Sequence, residues 1–347
     1  MLKKCNYKLL TGILIIVLPL LVGFTPKPWE WPFMHGVRVS EYTPAVYWPY
    51  DMVDYEEIDT REEGLEMEGR IPFLTNHAGF LRNRINSYID EIIDLKISEA
   101  RYARARTLTF DYELYFDDPV ISIILKSTAA GASSKTEVVS INFNVETGEL
   151  FSAADVVGSE VVQLADRLLV EMIRRNPERY NPSFSGMQQD QAFSVTDEEI
   201  TFWFDEFQLA HGFEGIVPLS LRLEDIREVV LDRDEFRVRP GFNLKMVPLR
   251  RVIEELGYTV IWSAAAGSAF IYHGGELVII LAPDINEFIR EHRFNRSLEA
   301  PPEIIEGHMY VPISFFDQIL SLVAYSIDGD YNITFVSYSL YEDLFDY

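Results

Sequence analysis

The chain has 347 residues, of which 48% are hydrophobic, enough for two packed cores. It carries 30 Lys and Arg against 55 Asp and Glu, a formal charge of −25. That balance argues against a nucleic-acid surface, which needs clustered cations, and suits a cation, a basic partner or plain solubility better. Cys5 is the only cysteine, so neither a disulfide framework nor a thiolate metal site is available.

Residues 1–24 read as an export signal peptide or a membrane anchor. Lys3, Lys4 and Lys8 precede the uncharged run LLTGILIIVLPLLVGF, a charge placement that sends everything downstream outward. Leu21 and Gly23 make a poor cleavage site, yet the run is shorter than the ~20 residues of a standard span, so cleavage stays open. Residues 25–55 are rich in Pro and aromatics (TPKPWEWPF, TPAVYWPYD) and read as an extended spacer, with Trp29 and Trp31 placed for a membrane interface. The acidic run DYEEIDTREEGLEME reads as a solvated stretch.

Residues 56–230 give an α+β pattern. HAGFLRNRINSYIDEIIDL puts Leu81, Ile85, Tyr88, Ile92 and Leu95 on one helical face. TLTFDYELYF alternates through Leu108, Phe110, Tyr112, Leu114 and Phe116, the period of a half-buried strand. VISIILKS and VVSINFNVETGEL continue as strands, and GSEVVQLADRLLVEMIRR is a second helix burying Val161, Ala165, Leu168 and Met172. EEITFWFDEFQLAHGFEGIVPLSLRLEDI then predicts two strands around a Gly-containing loop, giving an antiparallel sheet with packed helices.

The succession AAGASSKTEVVSINFNVETGEL, helix, FSVTDEEITFWFDEFQLAHGFEGIVPLSLRLEDI resembles the paired domains of unknown function in the ectodomains of RsiV-type anti-sigma factors. Similar domains precede the catalytic domain of some peptidoglycan deacetylases. The resemblance covers residues 47–230, and many members have a Gly-Gly-Ala-His-Gly type turn where this chain has Ala130, Gly131, Ala132, Ser133 and Ser134. It implies an extracellular RsiV-like binding module, with a lysozyme-like protein as the partner.

Residues 234–338 write one skeleton twice. MVPLRRVIEELGYTVIW and YVPISFFDQILSLVAYSI align Pro248 with Pro312, Leu249 with Ile313, Val252 with Phe316 and Leu256 with Leu320. In each, Val-Pro is expected to start a helix, since proline is tolerated in the first turn, and Gly257 ends the first helix. Ser321 and Ser326 stand in the second copy where the first has Gly257 and Trp262. This segment is similar to the copper amine oxidase N-terminal-like, or stalk, domain, which implies a second small α+β domain with a duplicated strand-helix-strand unit and no copper. Residues 339–347 form an acidic tail. Fragments divided between Val230 and Leu231 are expected to fold alone.

Chemistry leaves few marks. His35, His77, His211, His273, His292 and His308 are scattered without metal-ligand spacing, and no nucleophile elbow or phosphate cradle occurs. No catalytic, cofactor or metal residues are assigned, and DGDYN at Asp328 reads as a β-turn. The candidate partner-binding loop spans residues 205–215, with Phe207, His211 and Phe213 as its contacts. The expectation is a non-catalytic protein on the extracellular side of the bacterial envelope, secreted or held by its N-terminal segment, that binds an extracellular protein such as lysozyme or peptidoglycan. The alternative is a cell-wall-modifying enzyme or its accessory subunit, with a hydrolytic pair among the many carboxylates.

Overall fold

The computed structural model describes residues 52–75, 79–211, 215–239, 243–290, 293–295, 297–320 and 323–338. The N-terminal apolar segment, nearly all of the spacer, His35, His77, His292, Phe213 and the acidic tail lie outside the described residues. Within them the fold is mixed α+β with sheet predominating.

The acidic run is solvated and is also a strand. β1 (Val53–Glu62) and β2 (Leu65–Leu74) pair in register across a turn at Glu63 and Gly64, both with positive φ, which suits the right-handed twist of a tight hairpin. α1 (Gly79–Tyr102) then crosses over to β3 (Thr107–Asp117), which β4 (Val120–Ala130) and β5 (Ser134–Asn144) extend into a sheet ordered β1-β2-β3-β4-β5. Contrary to the wholly antiparallel expectation, β2 and β3 run parallel, because the long helix carries the chain from the end of the sheet where β2 finishes back to the end where β2 began. Where the parallel pair ends, a Cβ on Gly69 would sit 2.0 Å from the Phe110 carbonyl oxygen, so only glycine permits this approach.

α1 buries Ile85, Ile89, Ile92, Ile93 and Ala100, while Tyr88 and Leu95 of the predicted stripe stay exposed. Two polar ties account for the rotation. The Asn86 side chain accepts from the Leu74 amide at 2.7 Å and donates to the Leu74 carbonyl at 3.1 Å, and Lys96 reaches Glu137 on β5 at 2.7 Å. With Asn86 and Lys96 turned to the sheet, the isoleucines between them face Leu65, Met67, Phe110 and Phe143.

α2 (Ala153–Val157) opens with a capping box between Ser152 and Asp155. α3 (Ser159–Arg175) buries the predicted Val161, Ala165, Leu168 and Met172 together with Leu164 and Leu169. β6 (Phe193–Val195), β7 (Glu199–Phe204) and β8 (Val217–Arg222) form an antiparallel sheet on the face of the five-stranded sheet away from α1. Asn142 donates to the Phe193 carbonyl at 3.1 Å, and Ser140 and Ser122 accept the Phe193 and Val195 amides, tying the two layers together.

β9 (Ile226–Leu231) leads into β10 (Arg237–Arg239), β11 (Leu244–Pro248), α4 (Leu249–Glu255), β12 (Thr259–Ser263), β13 (Ser268–His273) and β14 (Glu276–Leu281). β15 (Phe288–Arg290), β16 (Arg293–Asn295), β17 (Glu303–Ile305), β18 (His308–Pro312), α5 (Ser314–Gln318), β19 (Val323–Ile327) and β20 (Ile333–Tyr338) follow. Their sheets are ordered β10-β11-β18-β17, β12-β13-β14-β15-β16 and β19-β20-β9. β11-α4-β12 and β18-α5-β19 share the order strand, short helix, strand, and β11 pairs with β18 antiparallel. The stripe Leu249, Val252, Ile253 and Leu256 is buried, as are Ile313, Phe316 and Leu320. Each proline ends a strand instead of occupying a first helical turn: Pro248 caps α4, and Ile313 separates Pro312 from α5.

The strand at residues 226–231 ties the two halves together. All six of its residues pair with β20, from Ile226↔Tyr338 to Leu231↔Ile333. Ala324, Val336 and Tyr338 also join the α3 core, the Tyr338 hydroxyl accepts the Arg222 amide at 3.2 Å, and Ser326 donates to Glu160 at 3.0 Å. A division at Val230 therefore cuts a strand out of its sheet and removes apolar side chains from the α3 core.

Candidate functional site

The predicted loop leaves β7 in a tight turn, in which the Gln208 amide donates to the Asp205 carbonyl at 3.0 Å. Its acidic side chains are committed to backbone. Asp205 accepts the Val138 amide at 2.7 Å and Glu206 accepts the Thr136 amide at 2.8 Å, while the Glu206 amide donates to the Thr136 carbonyl at 3.0 Å. The loop thus seals the outer edge of β5, which would otherwise present open ladder groups. Burial pushes the Asp205 carboxyl above its ordinary range, and the Val138 amide only partly opposes it.

Phe207 stands at the apex, 52% exposed and at φ 70, a left-handed conformation costly for a bulky residue. His211 is exposed, its amide donating to the Arg179 carbonyl at 3.3 Å, and Phe213 lies outside the described residues. Trp203, on the adjoining strand, is a packing residue. Its indole donates to Ser194 at 3.0 Å, its ring meets Tyr115 at 6.0 Å, and Lys126 lies over it at 5.1 Å.

No group of three or more His, Cys, Asp or Glu among the described residues is arranged to hold a metal. Asp328, the start of the calcium-like DGDYN, accepts the Asp330 and Asn332 amides and the Asn332 side chain, which holds its carboxyl below its usual range. It closes the β19–β20 turn. At the end of β3, burial and the charges of Asp197 and Asp118 push the Asp117 carboxyl up to about 6.

A groove of about 600 Å³ opens in the second half of the chain. α4 forms one wall with Leu249 and with Arg250 and Arg251, which pair with Glu254 at 2.7 Å and with Glu255. β12 contributes Val260 and Trp262, and the β17–β18 hairpin contributes Ile304, His308 and Met309. Trp262 is 45% exposed and Ile304 47%, a high exposure for such large apolar groups. Because the arginines are neutralised by partners one helical turn away, the rim presents little net charge over an apolar floor. Sequence reasoning passed over this groove. Its one local signal is Trp262 in YTVIW, which reads equally well as a core strand residue.

Three comparisons place these observations. Residues 242–333 match the copper amine oxidase N-terminal domain family, so the groove lies within the matched region. A stretch of 81 residues is 34% identical to a protease inhibitor of Brevibacillus choshinensis, covering 23% of this chain and 24% of that relative. The chain thus spans about a quarter of the length of the curated relative it matches. Among solved structures, a DUF3298 family member from Bacteroides fragilis is similar with a TM-score of 0.38 and 11% identity, covering 50% of this chain and 90% of that one. A DUF3298 family protein from Pseudomonas aeruginosa PAO1 gives 0.36 and 12% over the same shares. No helix among the described residues is long and apolar enough to cross a membrane.

Proposed function

We propose that the chain is a non-catalytic protein of the outer face of the cell envelope that holds an extracellular protein through the groove beside α4. The observation that carries this reading is the groove's chemistry. Trp262 and Ile304 form an exposed apolar surface beside the half-buried Met309, and the charged groups at its rim are engaged in ion pairs. Such a surface suits burial of a partner's apolar side chains, the source of most interface energy. The match to a domain type that is itself non-catalytic supports the reading, as does the stretch shared with a protein named for inhibition, an effect exerted through binding. Export follows from the N-terminal charge and hydropathy pattern, and the formal charge of −25 favours encounter with basic proteins, lysozyme first among them.

The reading is tested by capture from a cell-surface extract on the full chain and on its Trp262→Ala variant, with lysozyme titrated separately at low salt. Proteins held by the full chain and lost from the variant support it. An unchanged captured set removes the groove from function, and absence of heat with lysozyme removes that partner alone.

A further inference from the structure

Resting on that reading, we infer that the groove takes an extended polypeptide segment, which adds to β12 as a further strand. β12 is the terminal strand of its sheet, paired only with β13, and β17 is the terminal strand of the neighbouring sheet, paired only with β18. Both line the same groove, through Val260 and Trp262 on one side and Ile304 on the other. Among the described residues, none of Thr259–Ser263 or Glu303–Ile305 makes a backbone–backbone hydrogen bond outside its own sheet. Among the described residues the outer amides and carbonyls of both strands thus have no backbone partner, and a ligand strand would supply the complementary ladder.

The side chains point to the same occupant. Val260 and Trp262 share one face of β12, two residues apart, so an added strand would lay alternate apolar residues into the groove beside them. β12 reads TVIWS and carries no charge, with Ile261 52% exposed on its other face. Open strand edges are ordinarily guarded by charge, as β1 of this chain is by Asp54, Glu56, Glu57, Asp59 and Glu62. An uncharged apolar edge beside a groove is the chemistry of strand addition. The paired arginines of the rim offer no anchor for a phosphate or an acidic glycan.

The test selects phage-displayed random octapeptides on the full chain and resynthesises the binders with N-methyl groups on alternate amides. Selected sequences should alternate apolar with polar positions. Methylating one alternate set should weaken binding about ten-fold, the loss of one to two hydrogen bonds, and the other set should stay within about two-fold. Selected peptides that tolerate methylation of either set would overturn the inference. If no peptide is selected but muropeptide fragments bind in a Trp262-dependent way, the groove stands as a binding site and the strand inference fails. If neither class binds, both fail. A concentration-dependent dimer abolished by Trp262→Lys would assign the edge to a second copy of the chain and likewise overturn the inference.

Discussion

Two strand edges of this chain, β1 and β12, meet the same physical problem in opposite ways. β1 is a ten-residue edge whose backbone would template association, and five carboxylates along it keep other strands away. At the far side of the same sheet, β5 is sealed by Asp205 and Glu206. β12 carries no charge, and among the described residues no strand pairs with its outer side. Where a fold defends two edges and leaves a third apolar, the third is the surface to examine for binding.

The most drastic way to challenge that comparison is to create a new open edge. A chain ended after Leu231 strips β20 from β9 and removes Ala324, Val336 and Tyr338 from the α3 core. The full chain should melt in one calorimetric transition, while the shortened chain should show no cooperative transition and should associate. Two resolved transitions in the full chain would instead support the sequence expectation of independent halves.

A smaller effect comes from uncovering β5. Asp205→Ala with Glu206→Ala leaves the Thr136 and Val138 amides without acceptors, at about 1 kcal/mol each because water reaches a partly buried edge. Urea unfolding should show a loss of about 2 kcal/mol, and light scattering should show association absent from the parent. A loss with no association would mean that the loop serves stability alone.

The edges also mark what the sequence made legible. Residues with a strong period were readable: the α3 stripe and the Leu249–Leu256 stripe are buried as the spacing predicts. The α1 stripe was misjudged because its rotation is set by Asn86 and Lys96, whose partners lie 12 and 41 residues away. The β1–β2 hairpin was missed because a charged edge strand lacks the apolar alternation that betrays half-buried ones. The parallel β2–β3 pairing and the β9–β20 pairing are tertiary choices with no local signature. At the candidate site, Phe207 was singled out for its residue type, but the loop's acidic residues seal a sheet edge, while the groove depends on two terminal strands that are 44 residues apart between Thr259 and Glu303.

Charge guards an edge only where it is solvated, and Asp117 marks the contrary case. Burial, Asp197 and Asp118 raise its carboxyl to about 6 from an ordinary 3.8, so the folded state holds the proton more tightly than the unfolded state. Its contribution to stability is therefore favourable at low pH, declines as pH rises from about 4 to 6, and stays unfavourable above. Asp117→Asn should stabilise the protein above pH 6 by on the order of 1 kcal/mol, discounted for solvent screening, with the gain vanishing below about pH 4. A gain independent of pH would assign the effect to packing.

The finest test exchanges the characters of the two edges. Ile261 is 52% exposed and faces away from Val260 and Trp262, so Ile261→Lys leaves the groove lining intact. Glu57 is exposed on β1, and Glu57→Ile removes one guard charge without opening a cavity. Each substitution should move stability by less than about 0.5 kcal/mol, as surface changes do. Their effects on association should nevertheless oppose one another: Ile261→Lys weakens binding of any strand-like ligand at β12, and Glu57→Ile lets β1 acquire partners that the parent rejects. Hydrogen exchange at the two strands in the presence of a selected peptide reads both effects at once. If Ile261→Lys leaves binding unchanged while Trp262→Ala abolishes it, recognition belongs to the groove's side chains and the open backbone of β12 plays no part.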